Sequence, residues 1–307
     1  MNKEKGIELI MKKLIDLHIH SNLSDGELSP KEIIDKAVNN GVNVIAIADH
    51  DTTLAYNDDL FKYAEEKNIK IIPAVEISTK FKGIGIHVLG YNFDINNKKL
   101  KDKLYYIRNA RHIYLYDVSS KLKELGYIID VNSLDKIDAV TKAHISLNII
   151  ENNDNKDLLL KTFGHIPSKG EFIETLMNEE CPCYVEKETI SPKEASMLIR
   201  EAGGKVVLAH PVCYKYEDGL TDEDTLELVN EMNPDGIEAN YIYIERTGNK
   251  INECVHWNNF ANTHNLIITI GSDFHKYDNV HPDIGLINEE IKLSDKEIDT
   301  IINNLLN

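Results

Sequence analysis

The tetrapeptide Ser-Pro-Lys-Glu occurs twice, at Ser29–Glu32 and Ser191–Glu194, and each time it opens the same short plan. A serine followed three residues later by glutamate is a capping box, and proline suits the first helical position because its missing N–H is not needed there. The helix then runs to a glycine stop, Gly41 in one copy and Gly203-Gly204 in the other. A strand follows, Val42–Ala48 or Lys205–Ala209, and a histidine, His50 or His210, stands at or just past its C-terminal end. Successive units of this kind lay their strands parallel, since each helix carries the chain back across the sheet. Around the first copy the alternation runs from Leu14–His18 through Pro30–Asn40, Val42–Ala48 and Leu54–Lys67 to Ile69–Val75. After the second it resumes with Asp222–Met232, Asp235–Ala239, Asn252–Asn265 and Leu266–Ile270, and a last helix is capped by Ser294 and Glu297. Between them the pattern predicts helices only: Lys98–Leu125, Lys142–Asn152 and Gly170–Glu179. The expectation is a parallel α/β barrel formed by residues 11–94 and 186–307, with 95–185 inserted as a helical subdomain over the substrate site.

Composition narrows the partners. The chain has 307 residues, 42% hydrophobic and 28% charged, which is ordinary for a soluble protein and long enough for a barrel-sized core. Its apolar runs are strand-length, far below the ~20 residues of a membrane span. Met1–Lys13 is charged and lacks an apolar signal core, so export is not expected. A formal net charge of −17 disfavours long nucleic acids and favours a small ligand, although bound cations would reverse the local sign at a metal site. The 4 cysteines are too few and irregular for a disulfide framework, and Cys181-Pro182-Cys183 lacks the spacing and second pair of a zinc knuckle. A reducing, cytoplasmic setting is expected.

Potential metal ligands stand at the strand ends. In His18-Ile19-His20 an extended backbone puts both imidazoles on one face. Asp25 follows in a Ser-Asp-Gly turn, Asp49-His50-Asp51 ends the second strand, Glu76 the third, and His210, Asp273 and His275 end two later ones. Mixed imidazole and carboxylate sets suit Zn, Mn or Fe, and carboxylates can bridge ions. Packing alone does not explain such residues at one strand end after another, since those positions face a site rather than the core. His112, His165, His256, His264 and His281 lack that placement and are read as surface or core histidines.

Asp16–Ser21 with Ser24-Asp25-Gly26, Ala48–Asp51, Glu76, Leu208–Pro211 and Gly271–His275 together resemble the PHP (polymerase and histidinol phosphatase) domain phosphoesterases, closest to the branch acting on nucleoside monophosphates or 3',5'-bisphosphates. The resemblance implies a distorted (β/α)7 TIM-like barrel and two or three divalent metal ions (Mn, Fe, Zn or Mg). It implies ligand roles for His18, His20, Asp25, His50, Glu76, His210, Asp273 and His275, and makes His87 a candidate for a third metal or for substrate. Where that branch often shows Arg-Pro-His, this chain has Lys142-Ala143-His144. His144 is the expected acid for the leaving group, Lys142 the stand-in for the missing arginine, and Asp49 a residue orienting a ligating imidazole. Arg108 and Arg111, three apart on a helix, share a face and form a candidate fork for the substrate.

The expected function is hydrolysis of small phosphate monoesters by water activated between cations. Histidinol phosphate hydrolysis, 5'-3' trimming of short oligonucleotides and a non-catalytic metal-binding module are the alternatives. An amidohydrolase-type barrel also opens with His-x-His, but Asp25, Glu76 and the Asp49-His50 pair fit a phosphoesterase better. The extension Met1–Ile10 is expected to be dispensable.

Overall fold

The computed structural model describes residues 13–137, 140–186, 189–245, 247–277 and 281–307. The extension Met1–Ile10 lies outside them. The chain runs β1 (Ile15–Ile19), α1 (Pro30–Asn39), β2 (Val44–Ile47), α2 (Asp58–Glu66), β3 (Lys70–Ile71), then the paired strands β4 (Ala74–Phe81) and β5 (Ile84–Tyr91). Helices α3 (Lys98–Glu124), α4 (Val131–Leu134), α5 (Lys142–Ile150), α6 (Lys156–Phe163) and α7 (Lys169–Leu176) follow without a strand. Alternation returns with α8 (Pro192–Glu201), β6 (Lys205–Leu208), α9 (Pro211–Glu217), α10 (Asp222–Met232), β7 (Gly236–Asn240), β8 (Tyr243–Ile244), β9 (Lys250–Ile251), α11 (Cys254–Thr263) and β10 (Ile267–Ile270). The chain closes through α12 (Ile287–Glu290) and α13 (Asp295–Leu306). Both Ser-Pro-Lys-Glu segments form the reciprocal capping box with proline in the first turn.

The strands depart from the all-parallel expectation. β1, β2 and β3 form a parallel three-stranded sheet, and the second sheet has the order β10-β7-β6-β5-β4. β5 runs antiparallel to both neighbours. The cause is the turn at Lys82 and Gly83, whose φ values of 49° and 87° match the tight turns that join adjacent antiparallel strands without a crossover helix. Among the described residues no closed barrel of continuous ladders is found. The sheets meet through the isolated bridges Ile19–Phe274 and His50–Glu76. At both seams the backbone leaves the extended region, with φ of 51° at Asp51 and 55° at Asp273, and this shortens the ladders.

Packing explains why the two sheets face each other. Ile15, Leu17, Ala46, Leu89, Val207 and Ile270 share one buried cluster, closed from below by Ile298, Ile302 and Leu305 of α13. Outside the first sheet, Ile19, Ile45 and Ile47 pack on α1 and α2. Outside the second, α8, α10 and α11 cover Val88, Val206 and Ile237, joined by Leu100, Leu104 and Ile107 from the first half of α3. The second half of α3 contributes Leu115, Val118 and Leu122 to a separate core with Ile145, Leu159 and Phe172. The cysteines are free thiols, and among the described residues no helix is long and apolar enough to cross a membrane.

Candidate metal centre

The β1–β2 ladder shifts register between Asp16 and Ile19. Past that shift Ile19 faces α1 while His18 and His20 turn to the mouth between the sheets, their Nε2 atoms 3.1 Å apart. Glu76 comes from β4 and Asp273 from the loop after β10. Glu76 Oε2 lies 3.2 Å from His20 Nε2 and 3.1 Å from His50 Nδ1, and Asp273 Oδ1 lies 3.1 Å from His20 Nε2. The other oxygen of Glu76 is 2.9 Å from His87 Nδ1 and 3.1 Å from His210 Nε2. Because β5 runs backwards, His87 lies opposite Ser78 and so reaches the site from the middle of its strand. Asp25 lies 3.4 Å from His275, 3.6 Å from His20 and 3.7 Å from His50. The structure thus brings together His18, His20, Asp25, His50, Glu76, His87, His210, Asp273 and His275.

The chemistry of this cluster fits cations. Buried carboxylates this close are costly unless compensated. Burial pushes Asp25, Glu76 and Asp273 up, but the surrounding histidines hold all three well below the usual carboxylate range. Burial likewise pulls His20 down, and its hydrogen bonds with Asp273 and Glu76 raise it to about 10. Protons therefore stand where divalent ions can replace them. His20 Nδ1, Asp25 Oδ1, His50 Nδ1, Glu76 Oε2 and Asp273 Oδ1 are buried, and their close approaches to one another lack well-aligned hydrogen-bond geometry. Their donor atoms fall into overlapping groups with members within 4.8 Å of one another: His18, His20, Glu76 and Asp273; His20, Asp25, His50 and His275; His50, Glu76 and His87. Sharing of Glu76 and His20 between groups suits closely spaced ions. His210 and Asp273 hold positive φ at this site, of 21° and 55°.

Two participants escaped the sequence reading. Glu238, buried in β7, accepts from His18 Nδ1 with both oxygens at 3.1 Å and from the His210 backbone N–H at 3.0 Å. A carboxylate behind a ligating imidazole fixes its tautomer and orientation. The available signal was an acidic residue inside the apolar run Gly236–Asn240. His281, read as an ordinary histidine, has its ring centroid 5.0 Å from that of His275, tilted 31° to it, and lies 3.8 Å from Asp273, in a further group with both. The other discounted histidines lie outside the cluster: His112, His165 and His256 pair with Asp135, Glu171 and Asp222, and His264 packs on Phe260.

The expected substrate residues separate. Arg111 donates from Nε to Asp51 at 2.9 Å and from Nη2 to Ser78 at 2.7 Å, and it lines a cleft of about 700 Å³ with Asp25, His50, His87 and Lys142. Arg108 donates to Thr52 at 3.0 Å and lines a different cleft with Thr52 and Tyr105. Arg111 thus meets Asp51 and Arg108 meets Thr52, and the two line different clefts, where one shared fork was expected. Asp49 accepts from the backbone N–H and hydroxyl of Ser21, each at 2.7 Å, and from the Ser24 hydroxyl at 2.6 Å. These bonds tie Asp49 to the loop that carries Asp25, and His20 lies near enough for its charge to act on the carboxylate. Lys142 donates to Asn178 at 3.0 Å. His144 caps α5: its Nδ1 accepts from the Thr141 N–H at 3.1 Å, which leaves the proton of the neutral ring on Nε2. Burial lowers its pKa, the nearby Asp25 carboxylate opposes this, and the Arg111 charge adds to it.

Comparison with known proteins finds relatives over most of the chain. The chain is 30% identical to a 5'-3' exoribonuclease of Haemophilus influenzae, covering 86% of this chain and 91% of that protein. It is 26% identical to a 3',5'-nucleoside bisphosphate phosphatase of Chromobacterium violaceum, covering 88% and 90%. Among solved structures, a metal-dependent phosphoesterase candidate from Bifidobacterium adolescentis superposes with a TM-score of 0.72 at 21% identity, covering 96% of this chain and 97% of that one. An amidohydrolase from Chromobacterium violaceum superposes with a TM-score of 0.70 at 23% identity, covering 88% and 89%. At those identities the superpositions speak for the fold alone. The family model described as the PHP domain matches residues 16–201, and the chain belongs to the PHP domain family.

Proposed function

We propose that this PHP-domain phosphoesterase uses two or three divalent ions to hydrolyse phosphate monoesters on nucleoside monophosphates or 3',5'-bisphosphates. The observation that carries the reading is the set of overlapping ligand groups sharing Glu76 and His20 at the head of a cleft able to hold a nucleotide-sized ligand. The facing sheets would act together as a distorted barrel, with residues 95–185 as its cap. The ions would be held by His18, His20, Glu76 and Asp273, by Asp25, His50 and His275, and by Glu76, His87 and His210. When bound, they supply the positive charge that offsets the phosphoryl oxygens and makes water an effective nucleophile near neutral pH.

The chain's own residues do the rest. Arg111, fixed by Asp51 and Ser78, presents its guanidinium toward the cleft without having to be ordered on binding. Asp49 holds the Asp25 loop in register. The Nε2 proton of His144 is available to a leaving-group oxygen, although a ring kept neutral by burial serves better as a hydrogen-bond donor than as a strong acid.

A second reading, removal of nucleotides from the 5' end of short RNA, is favoured by the Haemophilus influenzae relative, an exoribonuclease of similar extent. The net charge of −17 does not oppose it at the site, because Arg111, Lys142 and Lys80 gather around the one cleft. Protein loaded with Mn should release phosphate from AMP or adenosine 3',5'-bisphosphate. His20→Ala and Asp273→Ala should both abolish activity and lower bound metal. Full activity in either variant would remove the proposed centre, and mononucleotide release from 5'-phosphorylated RNA without phosphate release would select the second reading.

A further inference from the structure

The loop that leaves β10 is tied near both ends by one side chain. Asp16, buried in β1, accepts from the Ser272 N–H at 2.9 Å and from the Gly285 N–H at 2.8 Å. Just before Gly285, Lys36 pairs with Asp283 at 2.6 Å, and Asn40 donates to the Ile284 carbonyl at 2.7 Å. This anchored return brings His281 back to the start of its own loop, where its Nε2 lies 3.8 Å from Asp273 Oδ2. Asp273 points two ways. Its Oδ1 lies 3.1 Å from His20 and 3.4 Å from His18, while its Oδ2 faces His281 and accepts from the Tyr241 hydroxyl at 3.3 Å. A carboxylate so placed can serve a separate ion with each oxygen.

Asp273, His275 and His281 offer donor atoms within 4.8 Å of one another. Ligands of a tetrahedral ion, at about 2.0–2.1 Å from it, stand roughly 3.4 Å apart, so His281 and Asp273 need little closure. Three protein donors leave the remaining positions to water, which suits an ion that has still to move. His275 decides how this group relates to the rest. Its Nδ1 lies 2.8 Å from the Asp273 carbonyl, to which it donates, and a neutral imidazole then has one lone pair left. His275 also belongs to the group of His20, Asp25 and His50, so it can complete only one of the two groups at a time. Exposure falls along the same line: the His275 and His281 side chains are each 19% exposed, Asp273 11%, and His18 and His20 0%. Asp25, His50 and His87 line the substrate cleft, whereas Asp273, His275 and His281 lie off it.

We propose that Asp273, His275 and His281 form an outer cation site, which takes up a divalent ion at the rim and passes it, through His275, to the group of His20, Asp25 and His50. This rests on the reading of the cluster as a metal centre and concerns how that centre is loaded. Because the outer site lies off the cleft, ions exchange there without crossing the substrate.

The test strips Mn-loaded, full-length protein with a chelator and reloads it with Co(II), following release by metal analysis and uptake by the visible absorption of bound Co(II). Wild type is compared with His281→Ala, with His281→Glu, which keeps a donor, and with the control His165→Ala, whose histidine pairs with Glu171. A stop on the path speeds entry and exit alike and leaves the final affinity unchanged, because the end states are the same. Even a partner behind a ligand is worth about tenfold in metal affinity, so losing a donor should cost the outer site at least that. Uptake and release should therefore both fall about tenfold in His281→Ala, with Co(II) content and affinity as in wild type, and return toward wild-type rates in His281→Glu. Rates that do not fall together, or a fall that His281→Glu fails to reverse, overturn the proposal. Unchanged rates in His281→Ala beside normal uptake by wild type remove the outer site alone, whereas a wild type that takes up no Co(II) removes the metal centre with it.

Discussion

Gly271 is fixed by two neighbours that a methyl group would strike: a Cβ there would lie 2.3 Å from His18 Cβ and 2.4 Å from Glu238 Oε1. The close approach lets Glu238 sit behind His18 while Asp273, two residues on from Gly271, enters the centre from the same loop. Glu238 thus positions His18 and the backbone of His210. Glu238→Gln keeps the shape of the side chain but halves its accepting oxygens, so the imidazole loses a charged partner while the packing stays. Metal affinity should fall roughly 10- to 100-fold, with the far-ultraviolet spectrum of the wild type retained. Titration of the metal-free protein with Zn or Mn reads this directly, and wild-type affinity would show that Glu238 is a packing residue only. His18, His20, His50 and His210 of the cluster were legible because they stand at or just past the ends of apolar, strand-like runs. Glu238 was not, because it lies inside such a run, where an acidic side chain gives no sign of whether it faces solvent or a buried imidazole. His281 was missed for another reason: it follows no strand, and only the folding of its loop brings it to His275.

At the scale of elements, α3 shows why the insertion could be recognised and why its seam could not. Its 27 residues read as one helix, and they form one. The helix serves two cores, however, with Leu100, Leu104 and Ile107 on the second sheet and Leu115, Val118 and Leu122 among the inserted helices. A rigid helix shared in this way sets where Arg111 stands over the cleft, so the order of the inserted core bears on the site. Phe172 is fully buried there, against Tyr127 and Phe163. Phe172→Ala should destabilise that core by about 3–5 kcal/mol. Hydrogen exchange should then quicken across residues 114–183 before the strands, with KM rising more than metal content falls. Uniform loss of protection over the whole chain would mean that the inserted helices do not open as a unit. The reversed strand β5 was unreadable because Lys82-Gly83 gives a weaker hairpin signal than Asn-Gly or Asp-Gly, and alternation of apolar residues carries no direction.

For the whole molecule, the charge of −17 spreads widely, but its costliest part is the set of buried carboxylates at one end of the paired sheets. Composition gave the sum and not that arrangement, which depends on residues from Asp25 to Asp273 meeting in space. Without cations, stability at this end depends on histidines holding protons against burial, which costs several hydrogen bonds' worth of free energy. Ions that bind the folded chain alone add about 4 kcal/mol when free metal exceeds Kd by about a thousandfold. For a chain of this length that corresponds to a fall in Tm of roughly 5–10 °C when a chelator strips the ions. The effect has a sharp control. In His20→Ala two of the shared groups lose a member at once, so the same chelation should move Tm little, because the ions that contribute the stabilisation are already weakly held. Calorimetric scans of both proteins, with metal content measured before and after chelation, decide the matter. A wild type that loses its ions and keeps its Tm would show that the carboxylates at the sheet ends are stabilised by their histidines alone, and that folding and metal loading are independent.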